Sequence, residues 1–151
     1  MNKVREENTI LTDLRTEIQG ISQRLQGTLG IALKTLDDET SFFYNEHVSF
    51  PAASTVKIFV LVELFNQVKA GKRQLDEFIE IPTSRFGEVW SRTSSGILKD
   101  VESVRRISLK DAATLMVIVS DNVATNLLID LLGLEKIQDL VHSLGLKNTT
   151  K

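Results

Sequence analysis

The chain of 151 residues has no cysteine, two prolines, one tryptophan and one tyrosine. Without cysteine there can be neither disulfides nor thiolate metal sites. An excess of either charge is missing too. Eighteen Lys and Arg face twenty Asp and Glu, a formal net charge of −2, so no field is built for nucleic acid or an anionic membrane. No apolar run is long enough to span a bilayer, and the opening MNKVREENTILTDL holds no apolar stretch of signal-peptide length. The chain as it stands is therefore expected in the cytoplasm, and a removed leader would make it secreted or periplasmic. His47 and His142 lie too far apart for a local ligand pair, and the eight glycines form no phosphate loop. Asn148-Thr149-Thr150 fits a glycosylation acceptor but means little without a secretion signal. No metal, no cofactor, no nucleic acid and no membrane are expected as partners.

What is present begins with one domain's length, enough to bury about 68–70% of the surface exposed by the unfolded chain. The stretch Phe50 to Gly71 is apolar almost all round, with Val56, Ile58, Phe59, Val60, Leu61, Val62, Leu64, Phe65 and Val68. That pattern predicts a helix buried in the middle of the protein, kept from running backward by Pro51 and stopped by Gly71. Its one polar island is Ser54-Thr55-Val56-Lys57. Three residues apart, Ser54 and Lys57 share a helix face. A serine hydroxyl is a weak nucleophile that needs a neighbouring base, and a lysine serves only when burial brings its pKa down from about 10.4. Taken alone, the pair also reads as a helix cap followed by an ordinary lysine.

Upstream, residues 2–26 predict an amphipathic helix, with Leu11, Leu14, Ile18, Ile21 and Leu25 at spacings of three and four and Gly27 as its end. Thr28–Leu36 and Ser41–Glu46 predict a hairpin around the acidic turn Asp37-Asp38-Glu39-Thr40, whose residues read as solvated turn residues. Two strands are marginal alone, and beyond them only the short Phe78–Ile81 reads as a strand. The sheet looks unfinished, with an apolar edge open to another strand. Residues 82–107 read as a loop-rich passage containing Trp90 and the turn Thr93-Ser94-Ser95-Gly96. Ser108 and Asp111 suggest a capping box opening a helix over Ala112 to Val119. Two further helices follow, one carrying Ala124, Leu127, Leu128 and Leu131 up to Gly133, the other running Leu134–Leu144. Between the Ala112–Val119 helix and the one that follows it lies a second polar island, Ser120-Asp121-Asn122. By itself it is helix punctuation. Beside a buried serine–lysine pair, its hydroxyl and carboxamide can carry a proton and hold a substrate.

Ser54-x-x-Lys57 followed by Ser120-Asp121-Asn122 resembles the class A β-lactamase-type serine hydrolases, a group that includes the penicillin-binding proteins. Phe50-Pro-Ala-Ala-Ser54, Ser95-Gly-Ile-Leu98 and Asn126-Leu-Leu-Ile-Asp-Leu-Leu-Gly133 resemble the same family, from about Thr28 to the last residue. The resemblance implies an α/β (α+β) fold of the β-lactamase/transpeptidase type. Residues 1–49 would supply a helix and hairpin of the sheet domain, and 50–151 the helical subdomain. It implies Ser54 as nucleophile, Lys57 as its proton acceptor, directly or through a water, and Ser120 as proton relay to the leaving nitrogen. Asn122 would hold Lys57 and the substrate amide, Asp121 would support the loop, and Trp90 or Ser95 would border the cleft. The family's deacylating glutamate and its Lys-Thr-Gly strand motif are absent, so the chain is expected to be the N-terminal portion of such an enzyme. The implied reaction opens a β-lactam through an acyl-serine. A D-alanyl-D-alanine peptidase or esterase using the same nucleophile is one alternative. A non-catalytic fragment or binding module, paired with a complementary C-terminal piece or with itself through the open sheet, is another.

Overall fold

A computed structural model describes residues 2–37, 40–82, 95–101 and 103–146. The chain divides into two compact units, Met1–Phe50 and Pro51–Lys151.

In the first unit, helix α1 spans Asn2–Ser22 and strands β1 (Ile31–Lys34) and β2 (Ser41–Tyr44) form an antiparallel hairpin. The helix stops short of the expected residue 26. Arg24 and Leu25 donate their N–H groups three residues back, to Ile21 and Ser22, which tightens the last turn out of the α conformation. Ile31 pairs with Tyr44 and Lys34 with Ser41. Both strands are shorter than the sequence suggested, for local reasons. Thr35 folds the chain back by donating its N–H to Thr40 O at 2.9 Å and accepting the Thr40 N–H on its hydroxyl at 3.0 Å. Asn45 leaves the strand conformation at φ +55°, and its carboxamide donates to Leu29 O at 2.7 Å in place of a ladder bond. Phe42 is buried under the Arg15 guanidinium, whose carbon lies 5.0 Å from the ring centroid.

In the second unit a single 3₁₀ turn, Ala53–Thr55, leads into α2 (Val56–Lys69). The end of α2 is closed by a Schellman motif: Gly71 at φ +68° donates to Val68 O, and Lys72 donates to Gln67 O. The expectation that this helix is buried all round is corrected. Val60 and Leu64 are wholly buried, but Ile58, Val62 and Phe65 are 60%, 38% and 50% exposed. The reason is that the helices packed against α2 cover only one of its sides.

Strand β3 (Phe78–Glu80) pairs antiparallel with β4 (Arg106–Ser108). The second of these lay in the passage expected to be loop. Three residues are too few for an alternating pattern to show.

Helix α3 spans Leu109–Ile118, beginning three residues before the expected Ala112 because Ser108 itself is the N-cap. Its hydroxyl accepts from Asp111 N at 3.1 Å and donates to the Asp111 carboxylate at 2.7 Å. The next two N–H groups, of Leu109 and Lys110, find Glu77 O and Leu75 O, so the first turn leaves few orphan donors. Helices α4 (Asn122–Leu132) and α5 (Leu134–Ser143) are separated by Gly133 at φ +90°. Val60 and Leu64 from α2, Leu109 and Met116 from α3, and Ala124 and Leu128 from α4 form the centre of one apolar core. Among the described residues no helix is long and apolar enough to cross a membrane.

Candidate active site

The turn between α3 and α4 is where the second unit brings its polar groups together. Ser120 sits in the left-handed region at φ +56°, an uncommon conformation for a residue other than glycine that costs about 1–3 kcal/mol. Asp121 then starts α4. It is wholly buried, and its carboxylate accepts from Ala124 N at 3.0 Å, Ile97 N at 2.7 Å and Leu98 N at 2.9 Å. Its carbonyl accepts from the Thr125 hydroxyl at 2.6 Å. A buried carboxylate with three backbone donors is fully satisfied, and the turn is held from both sides.

Lys57 reaches this turn from the first turn of α2. Its Nζ donates to Ser120 O at 2.7 Å, to Ser120 Oγ at 2.6 Å and to Asn122 Oδ1 at 2.9 Å. These three acceptors use all the protons an ammonium can offer. Ser54 Oγ lies 2.9 Å from Ser120 Oγ. The two hydroxyls and the amine thus form a continuous line, Ser54 to Ser120 to Lys57. The link between Ser54 and Lys57 therefore runs through Ser120, whereas the helix-face argument pointed to a direct approach of the pair. Ala53, the residue before Ser54, is also left-handed, at φ +46°. Strained backbone thus adjoins both hydroxyls.

Lys57 is buried, and desolvation pushes its pKa below the ordinary lysine value; the nearby Asp121 charge pulls the other way and is the weaker effect.

Beside these groups opens a cavity of about 630 Å³ lined by Ser54, Lys57 and Asn122 and by the apolar Val56, Phe59, Ile129, Ile137 and Val141. That size suits a small molecule. It is also lined by Asn126, which entered above only as the start of a family-like stretch, and by Gln138, neither of them an expected site residue. Asn126 follows Asn122 by four residues, so the helical spacing already placed both on one face.

Of the expected cleft residues, Ser95 does not line this cavity. Its carbonyl instead accepts from Asn122 N at 3.1 Å, tying the 95–98 segment to the turn. Trp90 lies outside the described residues. Among the described residues no group of three or more His, Cys, Asp or Glu side chains is gathered as a metal site would need.

The family model described as the beta-lactamase enzyme family matches residues 13–151. The chain belongs to that family. Beta-lactamase OXY-2 of Klebsiella oxytoca is 29% identical over 133 residues, covering 87% of this chain and 44% of that protein. The crystal structure of a beta-lactamase from Sphaerobacter thermophilus superposes with a TM-score of 0.77 at 33% identity, over 87% of this chain and 48% of that one. PBP-A superposes with a TM-score of 0.80 at 31% identity, over 93% of this chain and 52% of that one. The chain spans less than half the length of the curated family member OXY-2.

Proposed function

We propose that this chain carries the acyl-forming site of a serine hydrolase acting on β-lactams, with Ser54 as nucleophile. The observation that carries the reading is the line of groups from Ser54 Oγ through Ser120 Oγ to Lys57 Nζ, at 2.9 and 2.6 Å, ending on a desolvated amine. Support also comes from a relative: PBP-A, as a variant, has been captured as an acyl-enzyme with penicillin G.

In the neutral state Lys57 has a lone pair free to accept. The Ser120 proton then moves to Lys57 Nζ as the Ser54 proton moves to Ser120 Oγ, and Ser54 Oγ forms its bond to the lactam carbonyl carbon. Negative charge gathers on the carbonyl oxygen, for which the Ser54 N–H is one donor. Collapse breaks the carbon–nitrogen bond. The leaving nitrogen takes its proton from Ser120, which is resupplied by the Lys57 ammonium. Asn122 keeps Lys57 in line and offers its amide N–H₂ to the substrate, and Asp121 holds the turn. In this reading residues 50–151 furnish the reacting groups and residues 1–49 part of a sheet domain. Its hairpin, with Leu33 and Phe43 each 43% exposed, is open to a further strand from a second copy or a complementary piece.

Deacylation needs a base to activate water, and the described residues lining the cavity include no carboxylate. Lack of a general base costs roughly 10²–10⁴ in rate. A polypeptide of these 151 residues is therefore expected to label at Ser54 with penicillin G and to stay labelled. Intact mass spectrometry, beside a chromogenic cephalosporin assay, tests this. Absence of any adduct that Ser54→Ala removes would refute the nucleophile. Many turnovers abolished by Ser54→Ala would show that deacylation is already encoded here.

A further inference from the structure

Lys57 is gripped by the two residues on either side of Asp121, and Asp121 is itself gripped by the 95–98 segment. At the middle of that segment is Gly96, at φ +105°. A β-carbon there would lie 2.3 Å from Asp121 Cγ, 2.4 Å from Oδ2 and 2.5 Å from Cα. Real side chains essentially never approach so closely, and the last of these atoms is backbone that cannot rotate away. Glycine alone lets the Ile97 and Leu98 N–H groups close on the carboxylate, at 2.7 and 2.9 Å, while the neighbouring Ser95 carbonyl takes the Asn122 N–H at 3.1 Å.

We infer that Gly96 is a positioning residue for the serine–lysine chemistry, acting through Asp121 to hold Ser120 and Asn122 against the Lys57 amine. The inference rests on the proposed function for its catalytic meaning, though not for its geometry. Ser120 holds a left-handed conformation, which persists only where the surroundings over-determine it. The Asp121 clamp is that surrounding. Release it, and Ser120 can relax, carrying away both the carbonyl and the hydroxyl that Lys57 contacts. The amine then gains water. The charged group that acts on Lys57 from the elements packed against it is Asp121; the cavity on its other side is lined by no further ionisable side chain among the described residues.

Two readouts separate this from a general loss of stability. The first needs no substrate: trace acetylation of Lys57 across pH, followed by mass spectrometry, reports the amine's own titration. In Gly96→Ala the titration of Lys57 is expected to move up toward the ordinary value of about 10.4. The second is penicillin G labelling of Ser54 per folded molecule, expected to fall about 10²-fold, the scale of a displacement of roughly 1 Å in a reacting group. Its alkaline-favoured limb should move the same way. Val117→Ala, which trims an exposed side chain on α3 away from the clamp, is expected to change neither. An unchanged Lys57 titration in folded Gly96→Ala overturns the inference. If Gly96→Ala does not fold, Asp121→Asn decides by sign. Loss of the charge alone would lower the Lys57 titration, because that charge raises it, whereas loss of the clamp raises it. We expect the rise; a fall overturns the inference. A rise in acetylation pH without any Ser54 labelling in the unmodified protein would leave the positioning role standing and refute the proposed function instead.

Discussion

The two units of this chain differ in how far each completes its own interior. Among the described residues of the first unit, Ile18 and Phe42 are the buried apolar side chains, while Leu33, Leu36, Phe43 and Phe50 are exposed. The second unit holds a contiguous core to which α2, α3, α4 and α5 all contribute. The polar site belongs to the second. Lys57, Ser120, Asp121 and Asn122 sit at helix starts whose other ends are anchored in that core. A line of polar groups 2.6 to 2.9 Å apart is held in register by such rigid supports, and in the proposed chemistry placement errors of even 1 Å would be costly. A two-stranded ribbon with half its apolar residues exposed offers no comparable support.

The largest effect that can break this contrast is a cavity in the second unit. Leu128 is wholly buried among the α2, α3 and α4 side chains. Leu128→Ala is expected to lower stability by about 2–5 kcal/mol. Leu33→Ala, at a half-exposed site in the hairpin, should change it by no more than about 0.5 kcal/mol. Urea unfolding of the two variants checks this. Equal losses would mean that the hairpin unit is as tightly packed as the helical one.

A smaller effect sharpens the comparison within the second unit. Ser108 joins β4 to α3 and caps the helix that delivers the turn at Ser120. Ser108→Ala leaves the Asp111 N–H without its acceptor and should cost about 1 kcal/mol, near the middle of the range for lost N-caps. Ser108→Asp restores an acceptor but sets a second carboxylate beside Asp111, so it should recover only part of the loss. Full recovery would show that the hydroxyl's bond to Asp111 contributes nothing.

How much of this was legible beforehand follows from the distance over which each signal acts. The helices could be read because apolar spacing repeats over ten or more residues, as with Leu127, Leu128 and Leu131 in α4. That Ser120 and Asn122 would meet Lys57 was legible from residue chemistry and from resemblance, whereas the route from Ser54 to Lys57 through the Ser120 hydroxyl was not. Helix ends were misjudged where hydrogen-bond choices of one or two residues decide them, as at Arg24 and at Ser108. The strand Arg106–Ser108 was too short to announce itself. That the α2 face at Ile58, Val62 and Phe65 is uncovered could not be read at all, since apolar residues look the same in sequence whether or not something packs on them. Gly96 stood in plain view within a turn of small residues, but its reason for being glycine is a contact with Asp121, twenty-five positions away.

The finest test concerns a slope with pH, not the size of a loss. Burial lowers the Lys57 pKa in the folded protein relative to the unfolded chain, where it is about 10.4. Below the folded value both states hold the proton, and the folded protein bears the whole cost of a desolvated ammonium. Between the folded value and about 10.4, the unfolded chain binds more protons than the folded one, so stability rises with pH across that window. Above it the amine is neutral in both states and the cost is gone. Lys57→Met removes this dependence, together with the three bonds that the amine donates to Ser120 and Asn122, while keeping most of the side chain's volume. The stability of the parent minus that of Lys57→Met, measured by urea unfolding from neutral to alkaline pH, should therefore climb as pH rises. Other titrating groups largely cancel in the difference. A decline would mean that attraction to Asp121 outweighs desolvation, leaving Lys57 a locked ammonium, unfit to accept the serine proton.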